Sequence, residues 1–313
     1  MSEQSLRGAS ASAIPATTAG VTSRAEEGAR AADLMRRIRQ NVGMAGIYLF
    51  LGVMTLFSIF PIYFVLQASV SGTQALYSTT LQLVPIAPTL NNYRFILQEE
   101  PFVQWLFNSV VACGLATIIA LVCATTGAYA LSRFKFRGNR FGLLVLIALQ
   151  TFPGLLAIYA YYSILRLLHL DGTLIGLAIV YAAGNVVFGV LNIKGYFDTI
   201  PIELEEAARV DGASYFTIFS KIILPLSAPA LAASALFMFI GGWNEFVLAK
   251  LILNPDIHSL TVPVGLFLLQ SDNSVPWGYF AAASVLVSIP MMALFLYLQR
   301  FFKSGLTVGS VKG

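Results

Sequence analysis

Charged residues along this chain are separated by long apolar runs, and these runs predict its architecture. Five windows between neighbouring charges hold 22 to 32 residues each, and another apolar run follows a polar N-terminal segment. A helix needs about 20 apolar residues to cross a hydrocarbon core about 30 Å thick. The pattern predicts an all-α integral membrane protein with six transmembrane helices, at about 44–68, 107–131, 141–167, 173–191, 226–251 and 278–302.

Composition excludes the soluble and disordered classes. The chain is 57% hydrophobic and 11% charged, whereas a soluble domain is about 25% charged. The basic residues are scattered between apolar runs rather than gathered on one face, so we expect no nucleic-acid partner. A cleavable signal peptide is an alternative explanation of the first run, but the apolar part of such peptides is only about 7–15 residues long.

The distribution of Lys and Arg predicts the orientation. With the N-terminus inside, 16 of the 19 basic residues lie on the cytoplasmic side, as the positive-inside rule requires. Both termini are therefore expected in the cytoplasm. The predicted regions are a partly disordered tail (1–42), a six-helix transmembrane domain (43–302) with a cytoplasmic loop (192–225), and a C-terminal tail (303–313). Within the first tail, 31–40 suits an amphipathic helix whose arginines face anionic membrane lipid.

The cytoplasmic loop between the fourth and fifth runs predicts a helix–turn–helix. Acidic residues at 203, 205 and 206 favour the positive end of a helix dipole, and Asp211-Gly212 stops that helix. Ser214 is suited to cap a second helix. Its apolar face has the spacing i, i+3, i+4, i+7, with Tyr215, Ile218, Phe219 and Ile222. From spacing alone, an ordinary loop lying on the bilayer remains an equal alternative.

The order of residues in this loop resembles the EAA signature of permease subunits of ABC importers. The matching residues are Glu206, Ala207, Ala208, Asp211, Gly212, Ile222, Leu224 and Pro225. The resemblance implies a MetI-like, type I importer permease fold in the bacterial inner membrane, with this loop coupling to the ATPase. No GxxxxGK[ST] phosphate loop occurs. ATP is then expected on partner subunits, with no catalytic residue, cofactor or metal in this chain.

Three further segments resemble the carbohydrate-importer branch of that family, and the last resembles the smaller, MalG-type permease of maltose systems. They lie at 193–197, 243–246 and 305–313. The resemblance covers about 44–313 and implies three kinds of partner: a second, MalF-like permease subunit, two ATPase subunits and an external sugar-binding protein. The implied cargo is maltose, maltodextrin or trehalose. Another cargo such as glycerol phosphate, or a secondary transporter or channel, remains as an alternative function.

Glu245 lies inside the fifth predicted span, where a charge marks either a transport pathway or a paired structural site. Both interpretations stay open at this stage. The other substrate-pathway candidates are Asn244, Phe246, Tyr181 and Asn185. In the maltose-type family the larger permease makes most sugar contacts, which implies a minor sugar-binding role for this chain.

Two further segments are candidates by resemblance alone. The polar tip of the last outer loop corresponds to a loop that reaches into the docked binding protein, with a plain connector as the alternative: Gln270, Ser271, Asp272, Asn273 and Ser274. The end of the chain corresponds to a tail that inserts between the ATPases: Val311, Lys312 and Gly313. The sequence also predicts kinks in three spans, at Pro61, Pro153 and Pro290.

Overall fold

The computed structural model describes residues 17–72, 84–85, 87–152, 154–253, 255–271 and 277–308, with side chains from residue 41 on except at 155, 271 and 303–308. It divides into two compact units, one ending at Tyr63 and one starting at Phe64. The helices of the described residues are α1 Thr17–Ser69, α2 Asn91–Gln98, α3 Phe102–Arg133, α4 Asn139–Thr151, α5 Ile158–Leu167, α6 Leu174–Phe197, α7 Glu203–Val210, α8 Tyr215–Ile218, α9 Leu224–Leu226, α10 Ala228–Trp243, α11 Val247–Ile252, α12 Val262–Ser271 and α13 Trp277–Val308. Single turns of 3₁₀-helix at Gly154–Ala157 and Ile257–Ser259, and a π-helical turn at Phe219–Ile223, complete the helical elements.

Four helices in the described ranges are long and apolar enough to cross a membrane: Asn41–Ser69, Phe102–Arg133, Leu174–Phe197 and Trp277–Phe302. A fifth candidate is the pair Tyr215–Leu226 and Ala228–Trp243, which is bent by 76° at its break. The described part of the chain is thus nearly all helical, and it has four or five candidate spans where the sequence predicts six.

The third predicted span is two helices rather than one. Helix α4 ends at Thr151, and Phe152 has extended backbone angles of φ −74° and ψ 129°. Phe152 precedes Pro153 in the sequence, and the residue before a proline is disfavoured in helical conformation because the proline ring clashes with it. The predicted span 141–167 is thus divided near Pro153, where the sequence predicts a kink. Pro61 and Pro290, by contrast, lie inside the continuous helices α1 and α13.

The segments outside the predicted spans are more helical than the pattern indicated. Helix α1 begins at Thr17, inside the tail expected to be partly disordered, where Ala, Glu and Arg have high helix propensity. Helices α2 and α12 lie between the predicted spans, in segments where the apolar pattern predicts no helix. Charge spacing delimits long apolar runs, but it carries no information about helices between them.

A stripe of alanines on α3 gives the second unit its core. The stripe is buried, with at most 2% of any of its residues exposed, and its members are spaced by four: Ala112, Ala116, Ala120, Ala124 and Ala128. Gly189 on α6 faces it so closely that a β-carbon there would lie 2.7 Å from that of Ala124. Small residues let helix backbones approach closely. Helices α3 and α6 thus form a tight pair, with α10 packed against it.

Candidate functional site

Helix α7 ends in a fixed corner, as its sequence predicts. Gly212 has φ +84°, a left-handed conformation that glycine adopts without strain. The N–H of Gly212 donates to the carbonyl of Arg209, and the N–H of Ala213 donates to that of Ala208, at 2.9 Å each. These two hydrogen bonds are those of a Schellman motif. We call residues 211–214 the α7–α8 corner.

Helix α8 leaves this corner with its predicted cap. The Ser214 side chain accepts a hydrogen bond from the backbone N–H of Thr217 at 3.2 Å. After Ile218 the backbone changes to a π-helical turn, in which hydrogen bonds join residues five apart instead of four. The buried residue that follows Ile218 is therefore Ile223, with 0% exposure. Ile222, which the sequence places on one apolar face with Ile218, is only partly buried.

The outer surface of α7 and α8 carries two strongly exposed apolar side chains. Val210 is 89% exposed and Phe216 is 77% exposed. Neither was predicted as a coupling residue, but five predicted coupling residues are exposed as well: Glu206, Ala207, Asp211, Gly212 and Pro225. Ala208 and Leu224 are partly buried. Exposed apolar side chains with a carboxylate beside them suit contact with another protein, and we call this surface the coupling surface.

Glu205 is a functional candidate that the sequence analysis missed. Its side chain is 3% exposed and forms an ion pair with Arg133 at the end of α3. The hydroxyl of Tyr129 donates to the second carboxylate oxygen at 3.1 Å. Helical periodicity places Glu205 and Ala208 on one face of α7 and Glu206 on another. Helical periodicity is therefore the feature of the sequence that indicates different surroundings for the adjacent residues Glu205 and Glu206.

The fifth predicted span is interrupted beside Glu245, where one helix ends and another begins. Helix α10 ends at Trp243, and α11 begins at Val247. The Glu245 carboxylate accepts hydrogen bonds from the backbone N–H groups of Leu248 at 2.9 Å and Ala249 at 3.0 Å. The hydroxyl of Tyr181 also donates to it at 3.0 Å. Within this chain, Glu245 is thus a paired structural group that caps α11. We call residues 244–246 the α10–α11 break.

The remaining pathway candidates are held in different ways around this break. Tyr181 is buried, and its carbonyl accepts a hydrogen bond from the Asn185 side chain at 2.9 Å. The Asn244 side chain is exposed and donates to the carbonyl of Ile240. Phe246 packs against Phe267 with ring centroids 4.8 Å apart. The structure brings Tyr181 and Glu245 into direct contact, whereas Asn244 and Phe246 face other neighbours.

The outer-loop and tail candidates are only partly covered by the described residues. Gln270 is exposed near the end of α12, and Ser271 is the last residue of that helix. The segment before α12 is tied to α3, because Asn108 donates to the carbonyls of His258 and Leu260 at 2.9 Å each. The other candidates lie outside the described residues: Asp272, Asn273, Ser274, Val311, Lys312 and Gly313.

The chemistry available at these sites is recognition and positioning. Among the residues that the structure describes, no group of three or more His, Cys, Asp or Glu side chains is placed to hold a metal ion. Glu205 and Glu245 accept several hydrogen bonds each from within the chain. The coupling surface presents the large apolar side chains Val210 and Phe216 outward.

Comparison with known protein families gives a match over most of the second unit. Residues 116–308 match the model of the family described as binding-protein-dependent transport system inner membrane component. The chain is 35% identical over 281 residues to a galactooligosaccharides transport system permease protein of Bacillus subtilis, covering 88% of this chain and 98% of the relative. It is also 35% identical over 273 residues to a maltose/maltodextrin transport system permease protein of Vibrio parahaemolyticus, covering 82% and 91%.

A solved structure has a similar fold. It is a chain of a bacterial ABC transporter involved in the import of the acidic polysaccharide alginate, with a TM-score of 0.72 and 25% sequence identity. The match covers 84% of this chain and 97% of the solved chain. The inward-facing methionine transporter MetNI matches with a TM-score of 0.52 at 16% identity, over 65% of this chain and 95% of that one.

Proposed function

Because the chain belongs to the binding-protein-dependent transport system inner membrane component family, we propose that it is one of two permease subunits of an oligosaccharide importer. As a transport subunit it is not an enzyme, and ATP is bound and hydrolysed by partner subunits. Its relatives include permease proteins named for galactooligosaccharides and for maltose and maltodextrin. These names support a neutral oligosaccharide as the cargo.

The observation that carries this proposal is the coupling surface. Val210 and Phe216 are two large apolar side chains with most of their surface exposed, on either side of a corner that a Schellman motif holds rigid. In a flexible loop, a displacement caused by a partner would be lost among many loop conformations. A rigid corner moves as a body, so it suits a surface that receives movement from an ATPase.

The proposed assembly has five components. This chain pairs with a second, MalF-like permease, each permease docks on one of two ATPases, and an external sugar-binding protein delivers the cargo. When the ATPases close on ATP, they move the α7–α8 corner, and the permease pair changes between inward- and outward-facing states. The bend of 76° between the α8–α9 segment and α10 suits this transfer, because the segment lies across the direction of the helix that it moves.

The proposed topology has six spans and two cytoplasmic termini. Four spans are the long apolar helices, α10 with α11 is the fifth, and α4 with α5 forms a broken span between α3 and α6. Helices α4 and α5 have 13 and 10 residues, so together they exceed the length of about 20 residues that a crossing needs. Broken helices are tolerated where protein surrounds them.

Transport by the reconstituted importer tests this function. We expect proteoliposomes that contain both permeases and both ATPases to take up maltodextrin only with ATP and the binding protein present. Uptake should stop when ATP or the binding protein is left out, and an ion gradient should not replace ATP. Uptake driven by an ion gradient alone would identify a secondary transporter and contradict the proposal.

A further inference from the structure

A buried ion pair joins the cytoplasmic end of α3 to the coupling helix α7. The guanidinium of Arg133 donates to the carboxylate of Glu205 through its Nε atom, and the two side chains are 7% and 3% exposed. A second donor to this carboxylate is the hydroxyl of Tyr129, one turn earlier on α3. Both oxygens of Glu205 are thus bound by groups of α3.

The same guanidinium also holds the connection between α6 and α7. One terminal nitrogen of Arg133 donates to the carbonyl of Ile200 at 3.1 Å, and the other donates to the hydroxyl of Ser132 at 2.9 Å. Ser132 in turn donates to Asp198, which caps the end of α6. A continuous network of hydrogen bonds therefore connects α3, the end of α6 and α7.

Aromatic packing encloses this network. The ring of Tyr129 contacts Phe197 at the end of α6 and Phe219 in the π-helical turn, with centroids 6.2 Å and 4.9 Å apart. It also contacts Phe134, which follows α3. The enclosure removes water from the Arg133–Glu205 pair, so both charges depend on each other and on their hydrogen-bond partners.

Stability alone explains this pair poorly. Two buried charges lose their hydration, and a pair of well-packed apolar side chains of the same volume often stabilises a fold as well or better. What a charge-assisted pair with several directed hydrogen bonds adds is a fixed geometry. Apolar side chains permit sliding between helices, whereas this arrangement fixes the position of α7 relative to α3.

We propose that Arg133 and Glu205 are positioning residues that transmit movement of the coupling helix α7 to the transmembrane helix α3. This role rests on the proposed function of the coupling surface. The two faces of α7 then have separate roles, because Glu206, Val210 and their neighbours receive the ATPase and Glu205 passes the displacement to α3. Without the pair, ATP hydrolysis continues but is no longer tied to transport.

The test measures coupling in the full reconstituted importer. The variants are Arg133→Gln, Glu205→Gln and the reversed pair Arg133→Glu with Glu205→Arg. We expect each single variant to lower the amount of maltodextrin transported per ATP hydrolysed about fivefold or more, the lower end of typical allosteric coupling. The reversed pair should recover a large part of this ratio. Arg137→Gln is the matched control, because Arg137 is an exposed cation in the turn that follows α3.

A second double variant separates positioning from folding. Where a single variant fails to assemble, the apolar replacement Arg133→Met with Glu205→Leu fills the same space without buried charge. An assembled complex of this double variant that hydrolyses ATP with little transport supports the proposal. If it transports per ATP like the wild type, or if the single variants behave like Arg137→Gln, the pair is structural and the proposal is wrong.

The Glu206→Lys variant distinguishes a failure of the positioning role from a failure of the proposed coupling surface. If Glu206→Lys loses transport while the Arg133 and Glu205 variants remain fully coupled, only the positioning role fails. If Glu206→Lys transports normally, the coupling surface itself is wrong, and the positioning role fails with it.

Discussion

Two short interruptions between helices, the α7–α8 corner and the α10–α11 break, use acidic residues in opposite ways. At the break, three donors from within the chain bind the carboxylate of Glu245. Beside the corner, Glu206 lies exposed next to Val210, on a surface of large apolar side chains. A carboxylate bound by its own chain fixes local shape, whereas an exposed one next to apolar surface is available to a partner. Substitutions should therefore affect stability at the break and transport at the corner.

The largest expected effect is the loss of transport in Glu206→Lys. We propose that Glu206 faces a basic residue of the ATPase, and a close charge pair in an interface contributes about 1.5–7 kcal/mol. Lysine at this position replaces attraction with repulsion. The variant should insert and unfold at the wild-type temperature, because Glu206 is exposed. Maltodextrin uptake and binding-protein-stimulated ATP hydrolysis measure the loss.

Glu206→Gln should keep part of both activities, and an acidic substitution on the ATPase should rescue Glu206→Lys.

Gly212→Val should also abolish transport in a protein that still inserts. The φ of +84° at this position costs a residue with a β-carbon about 1–2 kcal/mol. No atom lies within 4 Å of an added β-carbon, so the cost is backbone strain rather than a clash within the chain. The corner should relax to another geometry and lose its fit to the ATPase, which co-purification measures. Gly195→Ala on α6 is the control, since that position also has open space but no positive φ. Equal transport by the two variants would contradict this prediction.

At the α10–α11 break, replacement of the acidic residue should lower the stability of the protein rather than its transport activity. Glu245→Ala removes the cap of α11 and the partner of the buried Tyr181 hydroxyl, which together should cost about 2 kcal/mol. Thermal unfolding in detergent measures this effect. Asn244→Ala is the control, because that side chain is exposed and bonds only within its own helix. A Glu245→Ala protein with wild-type stability but no transport would show that Glu245 serves the pathway after all.

The smallest expected effect is a pH dependence at Asp198. Burial by itself raises the pKa of Asp198, but hydrogen bonds from Lys194 and Ser132 and the charges of Lys194 and Arg133 outweigh it, so the pKa lies below its ordinary value of 3.8. Asp198 therefore stabilises the fold fully above its ordinary pKa, and this contribution is lost as the pH falls through the lowered value. The difference in unfolding temperature between wild type and Asp198→Asn should be constant near neutral pH and shrink below pH 3.8. A difference that grows on acidification would contradict this assignment.

Local signals in the sequence predict the corner well, and distant contacts explain what they miss. The stop at Gly212 and the cap at Ser214 depend on neighbouring residues alone, and both are confirmed. The burial of Glu205 depends on Arg133, 72 positions away. In the same way, one donor to Glu245 at the α10–α11 break is the hydroxyl of Tyr181, 64 positions away. Apolar periodicity also gives no sign of the π-helical turn, with which Ile223 rather than Ile222 becomes fully buried.

Site-specific photo-crosslinking shows directly whether the coupling surface docks on the ATPase. A benzoylphenylalanine replaces Phe216, which is aromatic and 77% exposed, and in a second protein it replaces Leu168, which is 56% exposed in the turn between α5 and α6. Both proteins are illuminated in the assembled importer. We expect a covalent adduct of this chain with the ATPase from position 216 and none from position 168. An assembled complex without an ATPase adduct at position 216, or with equal adducts at both positions, would contradict it.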